Sequence, residues 1–310
     1  VGTLSVTTPT TSAYNKLLTE YAAGNYENIN NVSHLLNGTT NAGTISIDGK
    51  VFARNGVQLR GSDINVGANG GILNGVNTTE AFSTQARAAE LFNTLVNTTG
   101  IQNASAFTQN GSNIQLKTAS GAGGINIQGK VVNGAAIAGK KDSGLYITNN
   151  GTNGTKISGL VQSTNELNVY NKAGELDIGG TVKNANADLN ISNKGGNARI
   201  SGTLSTDKNL HVINGSSSGG LNFSGTAEPT KMANFVNEGA GGMIVTGAVS
   251  GSNLRFVNRG GKLIISNTAD KVSSAGTVRI ENSSSRGMSV SGVKSDTLVS
   301  IENKAGDLNI

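Results

Sequence analysis

Residues 189–193, Leu-Asn-Ile-Ser-Asn, followed by residues 198–204, Ala-Arg-Ile-Ser-Gly-Thr-Leu, form the stretch whose reading decides the fold. Leu189 and Ile191 alternate with polar residues, and so do Ala198 and Ile200. Each half therefore reads as a strand of period two with one apolar face, too short to stand alone. The first half recurs as apolar, any, apolar, any, Asn. It starts at Leu145, Leu167, Leu189, Leu210, Ala233, Leu254, Val278 and Val299. It ends at Asn149, Asn171, Asn193, Asn214, Asn237, Asn258, Asn282 and Asn303, with spacings of 22, 22, 21, 23, 21, 24 and 21 residues.

A second element is locked to the first. An apolar residue, usually followed by a small residue and Gly, comes at Ile157, Ile178, Ile200, Phe223, Val245, Ile265 and Val290. Two places beyond that triplet stands a third apolar position: Val161, Val182, Leu204, Ala227, Val249 and Ala269. In the last unit Lys294 falls there, with Val293 adjacent. A period near 22 residues with two or three short strands is one turn of a solenoid, and each turn buries its apolar row only by stacking on its neighbours. Stacked turns set strands in parallel about 4.8 Å apart. The right-handed default for parallel crossovers predicts an all-β, right-handed parallel β-helix. Corner glycines supply positive-φ bends in this reading. The eight Asn form one column at a corner, hydrogen-bonded along the axis as a structural ladder.

Earlier segments share the grammar. Ile125, Ile127, Gly129 and Val131 match the second element in phase; Ile114, Leu116 and Thr118 match the first, with Thr in the Asn place. Ile45, Ile47, Gly49 and Val51 read similarly, as do Val57 and Leu59. The shaft is thus expected over 44–310, after an N-terminal segment, 1–43. Two stretches break the pattern. Asn77 with Glu80 forms a capping box ahead of Phe82, Ala86, Ala89, Phe92 and Val96, predicting a helix over 77–97 within an extra-helical insertion at about 68–112. A shorter helix is expected over 12–23. At the other end, Asp307-Leu308-Asn309-Ile310 restarts a coil as Glu175-Leu176-Asp177-Ile178 does, so the pattern predicts a piece of a longer polypeptide.

Composition narrows the chemistry. Of 310 residues, none is Cys and two are His, so disulfides and thiolate sites are excluded and a multi-His metal site nearly so. No apolar run approaches the roughly 20 residues of a membrane-spanning helix. The expectation is a chain with no cofactor and no bound metal that does not span a membrane. The formal net charge of +5 favours anionic partners mildly. Nucleic acid is not expected, because aromatics for base stacking are only 4% of the chain.

At the repeat, residues 189–196 and 198–204 resemble filamentous-haemagglutinin-type large exoproteins, the two-partner-secretion and leukotoxin-type filamentous adhesins of Gram-negative bacteria. The resemblance spans roughly residues 44–310. It implies a β-helical shaft, export through an outer-membrane transporter, a secreted or cell-surface location, and attachment to a host or bacterial surface receptor or glycan. The family's secretion domain carries Asn-Pro motifs. Here Pro9 and Pro229 follow Thr8 and Glu228, so this stretch is not expected to be that domain.

The alternative is a carbohydrate-active β-helix enzyme, a polysaccharide lyase or hydrolase, which needs clustered carboxylates. Glu175 and Asp177 are the one pair placed on a common strand face, and solvated strand charges account for them. Gly215-Ser216-Ser217-Ser218-Gly219 matches a nucleophile elbow, but the strand-like Leu221-Asn222-Phe223 follows where the elbow needs a helix. His34 and His211 lack partners by sequence. The expectation is therefore no enzyme. Twelve Asn-x-Ser/Thr triplets occur, among them those at Asn153, Asn214, Asn222 and Asn282. Finally, Lys172, Lys194, Arg259 and Lys304 each follow a ladder Asn, predicting a basic edge that could take an anionic ligand.

Overall fold

The computed structural model describes residues 4–7, 44–53, 57–74, 114–118, 120–134, 144–267 and 271–310. All regular structure among them is strand. Three parallel sheets hold eleven, eleven and ten strands, and each strand pairs with the strands one coil before and after it. The protein is an all-β parallel solenoid with about 22 residues per turn.

The alternation read from the sequence sets the register. In the first sheet Leu167 aligns with Leu189, Val169 with Ile191 and Asn171 with Asn193. In the second, Leu176 aligns with Ala198 and Ile178 with Ile200. In the third, Val182 aligns with Leu204. All these residues are buried. Neighbouring coils compensate in volume. In the core Phe223 meets Phe235 edge to face with ring centroids 5.0 Å apart, Phe235 stacks on Phe256 at 5.4 Å, and the small Ala227 and Ala233 stand in the same stretch of chain. Large against small keeps the packing dense without voids.

The strand Leu4–Thr7 pairs with Val57–Gly61 as part of the first sheet. Asp63–Val66 and Gly71–Asn74 are ordinary coil strands, which carries the coil through residue 74, past the expected start of the insertion. The expected helices over 12–23 and 77–97 lie outside the described residues. In the third sheet Val249 aligns with Val272, which takes the inward place assigned to Ala269; Val293, rather than Lys294, takes it in the next coil.

The glycines also divide by cause. At the corner between the first and second sheets, Gly174 has φ 68°, a left-handed conformation that an L side chain rarely adopts. At the corner between the second and third sheets, the column Gly159, Gly180, Gly202, Gly225 and Gly247 is absent from the positive-φ set. A Cβ on Gly202 would sit 1.9 Å from the Gly180 carbonyl oxygen, and one on Gly180 would sit 2.0 Å from that of Gly159. Close approach between coils, not backbone handedness, excludes side chains there.

Candidate functional site: an amide column and a divided basic edge

The eight ladder asparagines occupy one register position on successive strands of the first sheet. Asn149 through Asn258 are 0% exposed and Asn282 is 1% exposed. Each Nδ2 donates to the Oδ1 of the next coil. The bonds run from Asn149 to Asn171 at 2.9 Å, Asn171 to Asn193 at 2.7 Å and Asn193 to Asn214 at 2.8 Å. They continue to Asn237 at 2.7 Å, Asn258 at 2.9 Å, Asn282 at 2.9 Å and Asn303 at 2.8 Å. The same Nδ2 spends its second hydrogen on a carbonyl of its own corner, as Asn193 does to Gly196 at 2.7 Å. Upstream, the Thr118 hydroxyl donates to Asn149 Oδ1 at 2.7 Å.

Only an amide fits this role. Its oxygen accepts from the coil before while its two hydrogens serve the coil after and its own corner, all from one short side chain. Burial makes the arrangement stringent, because an unmatched donor or acceptor there costs its full desolvation. Two of the Asn-x-Ser/Thr triplets, at Asn214 and Asn282, fall in this buried column with their amides committed. Asn153 and Asn222 are exposed.

A second inward polar column went unnoticed in the sequence. Asn133, Ser163, Asn184, Thr206 and Ser274 are buried, each two residues after an inward residue of the third sheet. They tie down the corner that returns to the first sheet. Thr206 Oγ1 donates to the Ala187 carbonyl at 2.7 Å, Asn184 Nδ2 to that of Asp188 at 3.0 Å and Ser274 Oγ to that of Ser252 at 2.9 Å. The signal was a small polar residue two places after an inward valine or leucine in several coils, broken at Pro229 and Gly251. It was diluted because Ser, Thr and Asn are common throughout the chain.

Lys172, Lys194, Arg259 and Lys304 are exposed and share one backbone position. Each N–H donates to the ladder carbonyl of the coil before, Asn149, Asn171, Asn237 and Asn282 respectively. The edge is not continuous, because Gly215, Glu238 and Ser283 hold the same place in other coils. Arg259 pairs with Glu238 at 2.6 Å and Lys304 with Glu302 at 3.5 Å. The Nζ atoms of Lys172 and Lys194 instead lie 5.3 and 5.8 Å from the centroid of the Tyr170 ring.

The catalytic candidates separate. Glu175 is engaged by Asn197 Nδ2 at 3.0 Å and by the Arg199 guanidinium. Those two hydrogen bonds, Asn197's first, hold its carboxyl below the usual carboxylate range. Asp177 aligns with Lys156 on one side and Arg199 on the other. Ser217 lies in a corner followed by the strand Leu221–Phe223. His211 is an outward residue of the first sheet, its Nε2 3.9 Å from Asp188 Oδ2; His34 lies outside the described residues. The third sheet carries a groove of about 360 Å³ lined by Ser250, Gly251, Ser273, Ser274, Ala275, Lys294 and Asp296. Among the described residues, no helix is long and apolar enough to cross a membrane.

The class of protein defined by this geometry is the parallel β-solenoid with an internal asparagine ladder. Comparison of the chain with protein-family models, with curated proteins and with solved structures gives no match in any of the three.

Proposed function

We propose that this chain is a non-catalytic shaft segment of a secreted bacterial surface adhesin or filament, holding adhesive contacts away from the cell. The observation that carries the reading is how unevenly residue identity is spent. Inward rows and corners repeat from coil to coil. The outward row on the first sheet, by contrast, runs Asn168, Asn190, His211, Asn234, Arg255 and Arg279. A chain built this way specifies length and stiffness rather than one pocket. Eleven strands stacked at about 4.8 Å give a rod of roughly 50 Å. The resemblance of the repeat to filamentous-haemagglutinin-type exoproteins supplies the setting: a Gram-negative cell surface, an outer-membrane transporter during export, and a surface receptor or glycan as partner.

The second reading, a carbohydrate-active β-helix enzyme, is favoured by the groove on the third sheet, where Lys294 and Asp296 stand among serines. One experiment separates the two. The purified chain is assayed for binding to host cells and glycans, and for release of reducing or unsaturated ends from a panel of polysaccharides. The shaft reading expects binding or inertness with no turnover. Turnover abolished by Asp296→Asn or Lys294→Gln establishes the enzyme instead.

A further inference from the structure

From Lys117 onward, the lysines and arginines of the first sheet and its ladder edge fall into two sets. Toward the C-terminal coils each has a carboxylate partner. Arg255 has Glu281 at 3.3 Å, Arg259 has Glu238 at 2.6 Å, Arg279 has Glu281 at 2.7 Å and Lys304 has Glu302 at 3.5 Å. Toward the N-terminal coils, Lys117, Lys172 and Lys194 have no such partner among the described residues. Register places Lys117, Thr148 and Tyr170 in one outward row on successive strands. Lys172 and Lys194 project from adjacent coils onto the Tyr170 ring.

Two ammonium groups sharing one ring repel each other. The ring quadrupole offsets part of that repulsion, but it carries no net charge to neutralise them. An anionic group seated between the two amines would be attracted to both at once. The carboxylates at both ends of this face are occupied: Glu166, just before the Tyr170 strand, accepts from the Tyr146 hydroxyl and the Asn168 amide, both at 2.7 Å, and Glu238, beside Gly215 on the Lys194 edge, pairs with Arg259 at 2.6 Å. Beside Tyr170 on the same face, Asn190 Nδ2 donates to Asn168 Oδ1 at 2.8 Å, a pair of side-chain amides of the kind that hydrogen-bond sugar hydroxyls.

We propose that Lys117, Tyr170, Lys172 and Lys194 form a docking site for a linear acidic polysaccharide lying along the solenoid axis. Its carboxylate or sulfate groups meet the amines, and its hydroxyls meet the Asn168–Asn190 amides. The proposal takes its biological setting from the adhesin reading; its chemistry stands on the lysine–tyrosine cluster alone. Nucleic acid fits less well, because the ammonium groups of Lys172 and Lys194 already lie over the Tyr170 ring, where a base would have to stack.

The test titrates the full chain with dextran sulfate, with polygalacturonate, with neutral dextran and with a single-stranded DNA. The two polyanionic sugars are the arms that distinguish sulfate from carboxylate recognition. Two double variants of equal net charge are compared, K172Q/K194Q and R259Q/K304Q, with melting curves confirming that both fold. At least one acidic polysaccharide is expected to bind, more weakly as salt rises. The first double should lose about tenfold in affinity, while the second stays within about twofold. Equal losses in the two doubles, an unchanged first double, no binding by wild type, or tighter binding to DNA than to either sugar would overturn the site. None of these outcomes touches the turnover assay that decides between shaft and enzyme.

Discussion

The corner between the first and second sheets and the corner between the second and third both pack glycine backbone against the neighbouring coil, at Gly195 on Gly174 and at Gly202 on Gly180, but only the first adds a side-chain clamp. The first keeps a side chain and lets the loop vary. Ladder Asn Nδ2 reaches a carbonyl two residues on in Asn149, Asn237 and Asn282, three in Asn171, Asn193, Asn258 and Asn303, and five in Asn214. The second corner keeps the absence of a side chain, and its length hardly moves. Four residues separate the inward pairs Ile157 and Val161, Ile178 and Val182, Ile200 and Leu204, Phe223 and Ala227, and Val245 and Val249. Where Asn267 replaces the glycine, the next inward residue of the third sheet among those described is Val272. One coil later the corner closes a residue early, at Val293, through Gly292 with φ 66°. An amide on a rotatable side chain can clamp loops of several lengths. The second corner has no such clamp, and its length is nearly constant.

The sharpest way to break this contrast is to insert one alanine at each corner. After Gly202 the insertion forces either a bulge or a one-residue slip that turns Leu204 outward, at a cost of about 3 kcal/mol or more. Between the exposed Ser217 and Ser218, in the longest loop of the first corner, the same insertion should cost under about 1 kcal/mol, since loop length enters only logarithmically. Denaturant melts of the two variants read the difference; equal losses would erase the distinction.

Next in size is the chemistry of the column. Asn193→Asp sets carboxylate oxygens against the Gly196 carbonyl and Asn214 Oδ1, which are now 2.7 and 2.8 Å from a donor. The expected loss is about 3–5 kcal/mol near neutral pH. Thr206→Ala, in the more permissive third corner, should cost about 1–2 kcal/mol. A smaller step asks whether glycine is needed everywhere. Gly202→Ala meets the Gly180 carbonyl and should cost about 1–3 kcal/mol. Gly215→Ala, whose new Cβ would have nothing closer than 3.6 Å, should stay within about 0.5 kcal/mol.

Much of this was legible in the sequence because identity and period coincide. The apolar alternation and the Asn column each recur on one register position, so spacing alone reveals them. What the sequence hid has physical causes. A glycine at fixed spacing does not say whether it serves a positive φ or a close contact, and here the first corner holds both: Gly174 has φ 68°, while a Cβ on Gly195 would sit 2.0 Å from the Gly174 carbonyl oxygen. The polar column through Ser163, Asn184 and Thr206 was masked because several residue types can bond a loop carbonyl. Val272 was misplaced because its coil lacks the corner glycine that marks the turn. The basic edge was legible as positions but not as charges, since Glu238 and Glu302 reach their partners from neighbouring places in the stack.

The smallest expected effect is on pH dependence. Glu175 has its carboxyl lowered by Asn197 and Arg199, so the folded state favours the charged form. Its contribution is present above the unfolded carboxylate range and is lost as pH falls through the folded value. Glu175→Gln should therefore flatten the acid side of the stability profile only slightly, because the side chain is 50% exposed and screened. A large change in the acid midpoint would contradict that assignment.

The central claim is the register of all three sheets, and the absence of Cys from the chain makes it directly measurable. Cysteine pairs at Tyr170 and Ser192, at Asp177 and Arg199, and at Lys183 and Ser205 replace outward partners on adjacent strands, one pair per sheet. Parallel strands about 4.8 Å apart bring such pairs within disulfide reach, whereas Asn168 with Ser192, two residues out of register, lies beyond it. Mass spectrometry after mild oxidation should find the three in-register disulfides and none in the offset control. Failure of the in-register pairs, or efficient closure of the offset pair, would contradict the solenoid as described.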